Sequence, residues 1–100
     1  MKIYLDDERP TPEGWCGCRW PEEVIEVLKA GGVTHLSLDH DLGDDRHGTG
    51  YDVIVWIEEQ TATTDFEPPD IVVHSANISA RAKMEAGIRS IRELARRRSG

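Results

Sequence analysis

Val33-Thr34-His35-Leu36-Ser37-Leu38-Asp39-His40-Asp41 is the stretch that decides the fold. Six β-prone residues, Val33 to Leu38, run directly into three side chains able to bind protons, cations or phosphate. Two other stretches repeat this design. Lys2-Ile3-Tyr4-Leu5 stops at the carboxylate pair Asp6-Asp7, and Ile71-Val72-Val73 stops at His74-Ser75-Ala76-Asn77. Helical patterns separate these strands. Pro21 suits the first helical position, Glu22 and Glu23 suit the positive end of the helix dipole, Val24, Val27 and Leu28 form an apolar stripe, and Gly31 ends it. Tyr51 to Gln60 is ambiguous by pattern: its β-branched residues suit a strand, and its length suits a buried helix. Alternation with the strands favours the helix. Met84, Ile88, Ile91 and Ala95 recur at helical spacing in a final amphipathic helix that starts near Ser79.

The remaining segments fill the gaps. Residues 8–14 hold two prolines and a glycine and read as a loop, Trp15 to Trp20 holds a brief strand, and Thr61 to Asp70 is a linker ending in Pro68-Pro69. The order β, short β, α, β, α, β, α implies an α/β fold, a parallel sheet of three to four strands with right-handed crossovers. In such sheets the site lies at the carboxyl ends of the strands. Adjacent strands are ~4.8 Å apart, so three neighbouring ends span about 10 Å, room for a metal ion and a phosphate.

Composition bounds the function. One hundred residues form a single domain, 1–100, with an ordinary hydrophobic fraction of 38% and charged fraction of 31%. No apolar run approaches the ~20 residues of a membrane span, and an acidic cluster stands where a signal peptide would have its apolar core. A cytoplasmic protein without a membrane partner is expected. Residues 1–77 carry 5 basic and 17 acidic side chains, whereas residues 78–100 carry 7 basic and 2 acidic. An acidic body of this kind argues against duplex DNA as a partner. Cys16 and Cys18 have no second cysteine pair to complete a zinc site, and their spacing seldom fits a disulfide, so free thiols are expected.

The three strand ends resemble those of the receiver domain of bacterial response regulators. The match is closer to an offshoot, the cyclic-phosphate processing receiver domain, through Leu5-Asp6-Asp7-Glu8-Arg9-Pro10, Leu36-Ser37-Leu38-Asp39-His40-Asp41-Leu42-Gly43 and Val73-His74-Ser75-Ala76-Asn77. The resemblance implies a shortened receiver-like (flavodoxin-like) three-layer sandwich. In it the first helix is replaced by the loop 8–14, and the fifth strand, with the lysine that follows it, is missing. It implies action on cyclic phosphate ends, those of RNA among them, and places Asp39 at the position where receivers accept a phosphoryl group. Gly50 falls where receivers often carry a glycine before the next helix.

The residues themselves suggest a chemistry. Asp6, Asp7, Asp39 and Asp41 offer hard oxygen ligands suited to Mg²⁺ or Mn²⁺, with the neighbouring histidines favouring Mn²⁺. His40 and His74, on strands expected to be adjacent, suit general acid and base roles beside Asp39. Arg9, Ser75 and Asn77 suit phosphate binding. The leading expectation is a metal-dependent phosphoesterase that opens a cyclic phosphate on a small molecule or an RNA end. The rivals are a signalling switch phosphorylated on Asp39, a non-catalytic binding module and, further behind, a Toprim-like nuclease. With the fifth strand gone, the His74 strand is an edge, and a homodimer through that edge and the final helix is the expected self-association.

Overall fold

The computed structural model describes residues 1–41 and 48–99. Four strands and three helices follow in the expected alternation: β1 (Lys2–Leu5), β2 (Cys16–Cys18), α1 (Pro21–Ala30), β3 (His35–Leu38), α2 (Gly50–Thr63), β4 (Asp70–Val73) and α3 (Ile78–Ser99). The sheet is wholly parallel, in the order β2-β1-β3-β4. The ambiguous Tyr51–Gln60 segment is helical, and its helix takes in the first three residues of the expected linker.

Local chemistry sets the helix ends. The Glu23 carboxylate accepts the Trp20 N–H at 3.0 Å, closing the first turn of α1 behind Pro21. At α2 the Thr49 hydroxyl accepts the Tyr51 N–H while Asp52 accepts the Thr49 N–H, a reciprocal cap. Asn77 caps α3 by accepting the Ala80 N–H at 3.0 Å. At the C-terminal end of α1, Gly31 takes a positive φ of 88°, which a glycine adopts at little steric cost.

Alternation along the strands divides the sheet into two unlike faces. Ile3, Leu5, Leu36, Leu38 and Ile71 pack against Val24 and Leu28 of α1, Val53, Ile54 and Ile57 of α2, and Met84, Ile88 and Ile91 of α3 in one buried cluster. Fully burying each such side chain contributes roughly 1.5–3 kcal/mol. Because α1 packs on α2 and α2 on α3, the three helices share that face. The expected three-layer sandwich therefore has helices on one face only. On the other face Tyr4 pairs in register with Gly17 and Ser37, and Ser37 with Val72. The loop that crosses from β1 to β2 covers part of it: Trp15 lies edge-on to Tyr4, and Thr11 packs so closely on Gly17 that a Cβ there would collide with its hydroxyl. A ten-residue connection replaces the helix that would supply the third layer.

Among the described residues no fifth strand follows β4, and α3 runs along the sheet instead. Both cysteine thiols are free. No helix is long and apolar enough to cross a membrane among the described residues. Arg98 donates to the carbonyls of Thr61, Thr64 and Phe66, tying α3 to the end of α2 and the segment after it.

Candidate functional site

The site forms where β1, β3 and β4 end side by side. The register pairs Leu5 with Leu38 and Leu38 with Val73, so the next residues, Asp6, Asp39 and His74, emerge together. Main-chain bonds continue this alignment: Asp39 N–H donates to Leu5 C=O and His74 N–H to Leu38 C=O, each at 3.0 Å. Ligand atoms of Asp6, Asp39 and His74 lie within 4.8 Å of one another.

Asp6 is turned inward, its side chain 1% exposed. Oδ1 accepts the N–H groups of Glu8 at 2.8 Å and Arg9 at 2.9 Å, and Oδ2 lies 3.0 Å from His74 Nε2. Burial opposes ionisation of this carboxyl, but the Arg9 and Glu8 N–H groups together with His74 outweigh it and hold its pKa below the ordinary value. Asp39 is shifted the other way. Burial and the neighbouring Asp6 charge push its pKa up, against the His40 N–H, His74 and Arg9. Two carboxylates thus share one pocket with unequal affinity for a proton.

His74 is held on three sides. Its ring stacks on Tyr4 at 4.3 Å and 2° from parallel, Nε2 meets Asp6, and Nδ1 lies 2.7 Å from the Ser37 hydroxyl. An ionised carboxylate only accepts hydrogen bonds, so the neutral ring carries its proton on Nε2 and takes the Ser37 hydroxyl proton at Nδ1. Arg9 donates to the His74 carbonyl and brings its guanidinium within 3.9 Å of Asp6. A cavity of about 270 Å³ opens over the cluster, lined by Asp6, Glu8, Arg9, Asp39, Asp41 and Ala76.

The other expected site residues are placed less centrally. Asp7 is half-buried and stands outside the three-residue cluster. Asp41 reaches the cavity wall, where its carboxylate pairs with His40 Nδ1 at 2.8 Å. His40 is likewise outside the cluster, with its main-chain N–H on Asp39 at 2.8 Å. Ser75 is buried, and its hydroxyl accepts the Asn77 N–H, while the Asn77 side chain is committed to capping α3. His35, on β3, is exposed and lies 2.9 Å from the Thr34 hydroxyl. Arg81 pairs with Glu85, and Lys83 sits over the Tyr51 ring, so neither lies at the cavity. His47 and the loop residues 42–46 lie outside the described residues.

The cyclic-phosphate processing receiver domain model matches residues 1–90. The chain belongs to that family. Searches of curated proteins and of solved structures find no match. Within this receiver domain Tyr4, Ser37 and Glu8 join the site beside the residues that the strand-end motifs single out. Tyr4 and Ser37 alternate out of the core on adjacent strands, the same parity that carries His74. That parity was the available signal. Gly50 also has a specific task here, since a Cβ on it would overlap the Asp39 carbonyl oxygen and approach Met84.

Proposed function

We propose that this receiver domain is a metal-dependent phosphoesterase that opens cyclic phosphates. The observation that carries the reading is the convergence of Asp6, Asp39 and His74 within 4.8 Å at three adjacent strand ends. Two carboxylates and an imidazole form a donor set suited to Mn²⁺, or to Mg²⁺ with water completing its shell. The raised pKa of Asp39 fits the same reading, because a cation removes the repulsion from Asp6. Ser37 suits either state of His74: its hydroxyl donates to Nδ1 of the free ring and accepts from Nδ1–H once Nε2 is a ligand.

A bound divalent ion would polarise the phosphate and lower the pKa of water. Arg9, at the cavity wall, neutralises phosphate charge. The His40–Asp41 pair manages protons: Asp41 holds the Nδ1–H, leaving Nε2 to take a proton from water and return it to the departing ribose oxygen. The water oxygen bonds to phosphorus, one ring P–O bond breaks, and a monoester remains.

Turnover of a 2′,3′-cyclic nucleotide, followed by chromatography with and without Mn²⁺, tests the proposal. Mn²⁺-dependent ring opening that Asp39→Asn reduces by at least 100-fold supports it. Metal-independent turnover, unimpaired turnover by Asp39→Asn, or no turnover with any common divalent ion refutes it. In the last case, a mass gain on Asp39 from a small phosphoryl donor would establish the switch in its place.

A further inference from the structure

The seven basic side chains of α3 are not equally engaged. Arg81 pairs with Glu85, Lys83 lies over Tyr51, Arg96 and Arg97 both pair with Glu93, and Arg98 binds main-chain carbonyls and Glu67. Arg89 and Arg92 alone have no ion pair, side-chain hydrogen bond or ring contact among the described residues. Both line one groove of about 360 Å³ between α3 and β4, beside the mutually paired Arg81 and Glu85, and leave it with a net positive charge. A second hollow of about 190 Å³ continues it past Ile71 toward Pro68 and Pro69, with Arg92 shared between the two.

The other wall of this groove is an open sheet edge. Among the described residues β4 pairs with β3 alone, through N–H groups such as those of Asp70 and His74. In a parallel ladder alternate residues bond to opposite sides, so Ile71 and Val73 direct their N–H and C=O groups outward. Val72 is 56% exposed on the face that carries no helix. An unpaired edge beside a basic wall is a template for another strand.

We propose that this groove docks an extended acidic segment of another protein as a fifth strand on β4. Alternation fixes the pattern of its side chains. Residues on the helix side meet Arg89 and Arg92 and should be Glu or Asp, and those between them lie beside Val72 and should be apolar. A second copy of this chain is the poorer occupant, because two-fold pairing of β4 would bring the same basic wall against itself. The proposal does not depend on the chemistry at the carboxylate cluster.

The test uses the full chain and two labelled heptapeptides, one alternating glutamate with valine, the other lysine with valine. Fluorescence anisotropy should show the acidic peptide binding at least 10-fold more tightly, weakening with salt. The double variant R89E/R92E, altered only at exposed side chains, should reverse the preference while the chain keeps its native circular dichroism spectrum at the assay temperature. In amide NMR spectra the acidic peptide should shift Ile71 and Val73. Equal binding of both peptides, or no binding, overturns the proposal. So does a dimer in sedimentation experiments that the acidic peptide cannot displace, which would make a second copy the occupant.

Discussion

Replacing Asp39 by Asn should make the metal-free protein more stable. Facing oxygens of Asp6 and Asp39 lie within 4.8 Å. Two unit charges at that distance repel by about 1 kcal/mol in a water-like medium and about 3 kcal/mol at an effective dielectric near 20. Arg9 and His74 offset part of this, so the gain should lie near the lower figure. Asparagine keeps the oxygen that accepts the His40 N–H, so the local hydrogen bond survives. About 1 kcal/mol corresponds to a rise in Tm of roughly 4–8 °C for a domain of this size. The pH dependence follows from the raised pKa of Asp39. The folded state binds this proton more readily than the unfolded chain, so wild type loses stability as pH rises through the folded pKa. Below the ordinary aspartate value of about 3.9, Asp39 is protonated in both states and the advantage of the variant should vanish. The assay is thermal unfolding by circular dichroism in chelator across this pH range, repeated with Mn²⁺. Mn²⁺ at 100 times its Kd should add about 2.7 kcal/mol to wild type and far less to the variant. An Asp39→Asn protein less stable than wild type at neutral pH in chelator would refute the repulsion argument. Equal Mn²⁺ shifts in both proteins would refute the ligand assignment.

Other substitutions probe the surroundings. Asp6→Asn should cost about 0.5–2 kcal/mol in urea unfolding at neutral pH, since weakening the charge-assisted bonds to two N–H groups and His74 costs roughly 1.5–3 kcal/mol and relief of the repulsion with Asp39 offsets about 1 kcal/mol of it. Because the pKa of Asp6 is depressed, wild type should lose this advantage as pH falls through the folded value, and the two proteins should converge in acid. Gly50→Ala should cost about 1–3 kcal/mol and weaken Mn²⁺ binding in calorimetry, because its methyl group displaces the Asp39 carbonyl. Leu38→Ala, in the centre of the core, should cost about 2–5 kcal/mol by the same denaturant measurement. Arg98→Ala should speed amide hydrogen exchange at residues 64–67 with only about 1 kcal/mol of global loss, as that side chain bridges their carbonyls at the surface.

Much of this architecture is legible from local chemistry. β-prone runs stopping at Asp6, Asp39 and His74 mark three strands and the edge of the sheet that carries the site, while Pro21 and Gly31 bracket α1. The helical state of Tyr51–Gln60 is less so. Its β-branched residues oppose it, and burial of Val53, Ile54 and Ile57 against the sheet decides the outcome. That the β1–β2 crossover lacks a helix is legible in its two prolines and glycine, but that the remaining three helices all share one face depends on packing across the sheet. Within the site, choosing between Asp6 and Asp7 requires the direction of a turn: the Glu8 and Arg9 N–H groups draw Asp6 inward. The contacts of His74 with Tyr4 and Ser37 require strand register, a non-local property. Ser75 and Asn77 look like phosphate donors in sequence, but they also suit a turn and a helix cap, and those local bonds are the ones formed.

The two faces of the sheet also bear on how such a protein can diversify. Ile3 and Leu5 hold the core while Tyr4 between them supports the candidate metal ligand His74, and Leu36 and Leu38 flank Ser37 in the same way. Selection can therefore act on alternate letters of the same strands almost independently. A combinatorial library restricted to positions 4, 15, 37 and 72 would remodel the surroundings of the pocket while leaving the hydrophobic cluster intact. A single-residue insertion in any of these strands would exchange the two sets and forfeit both together.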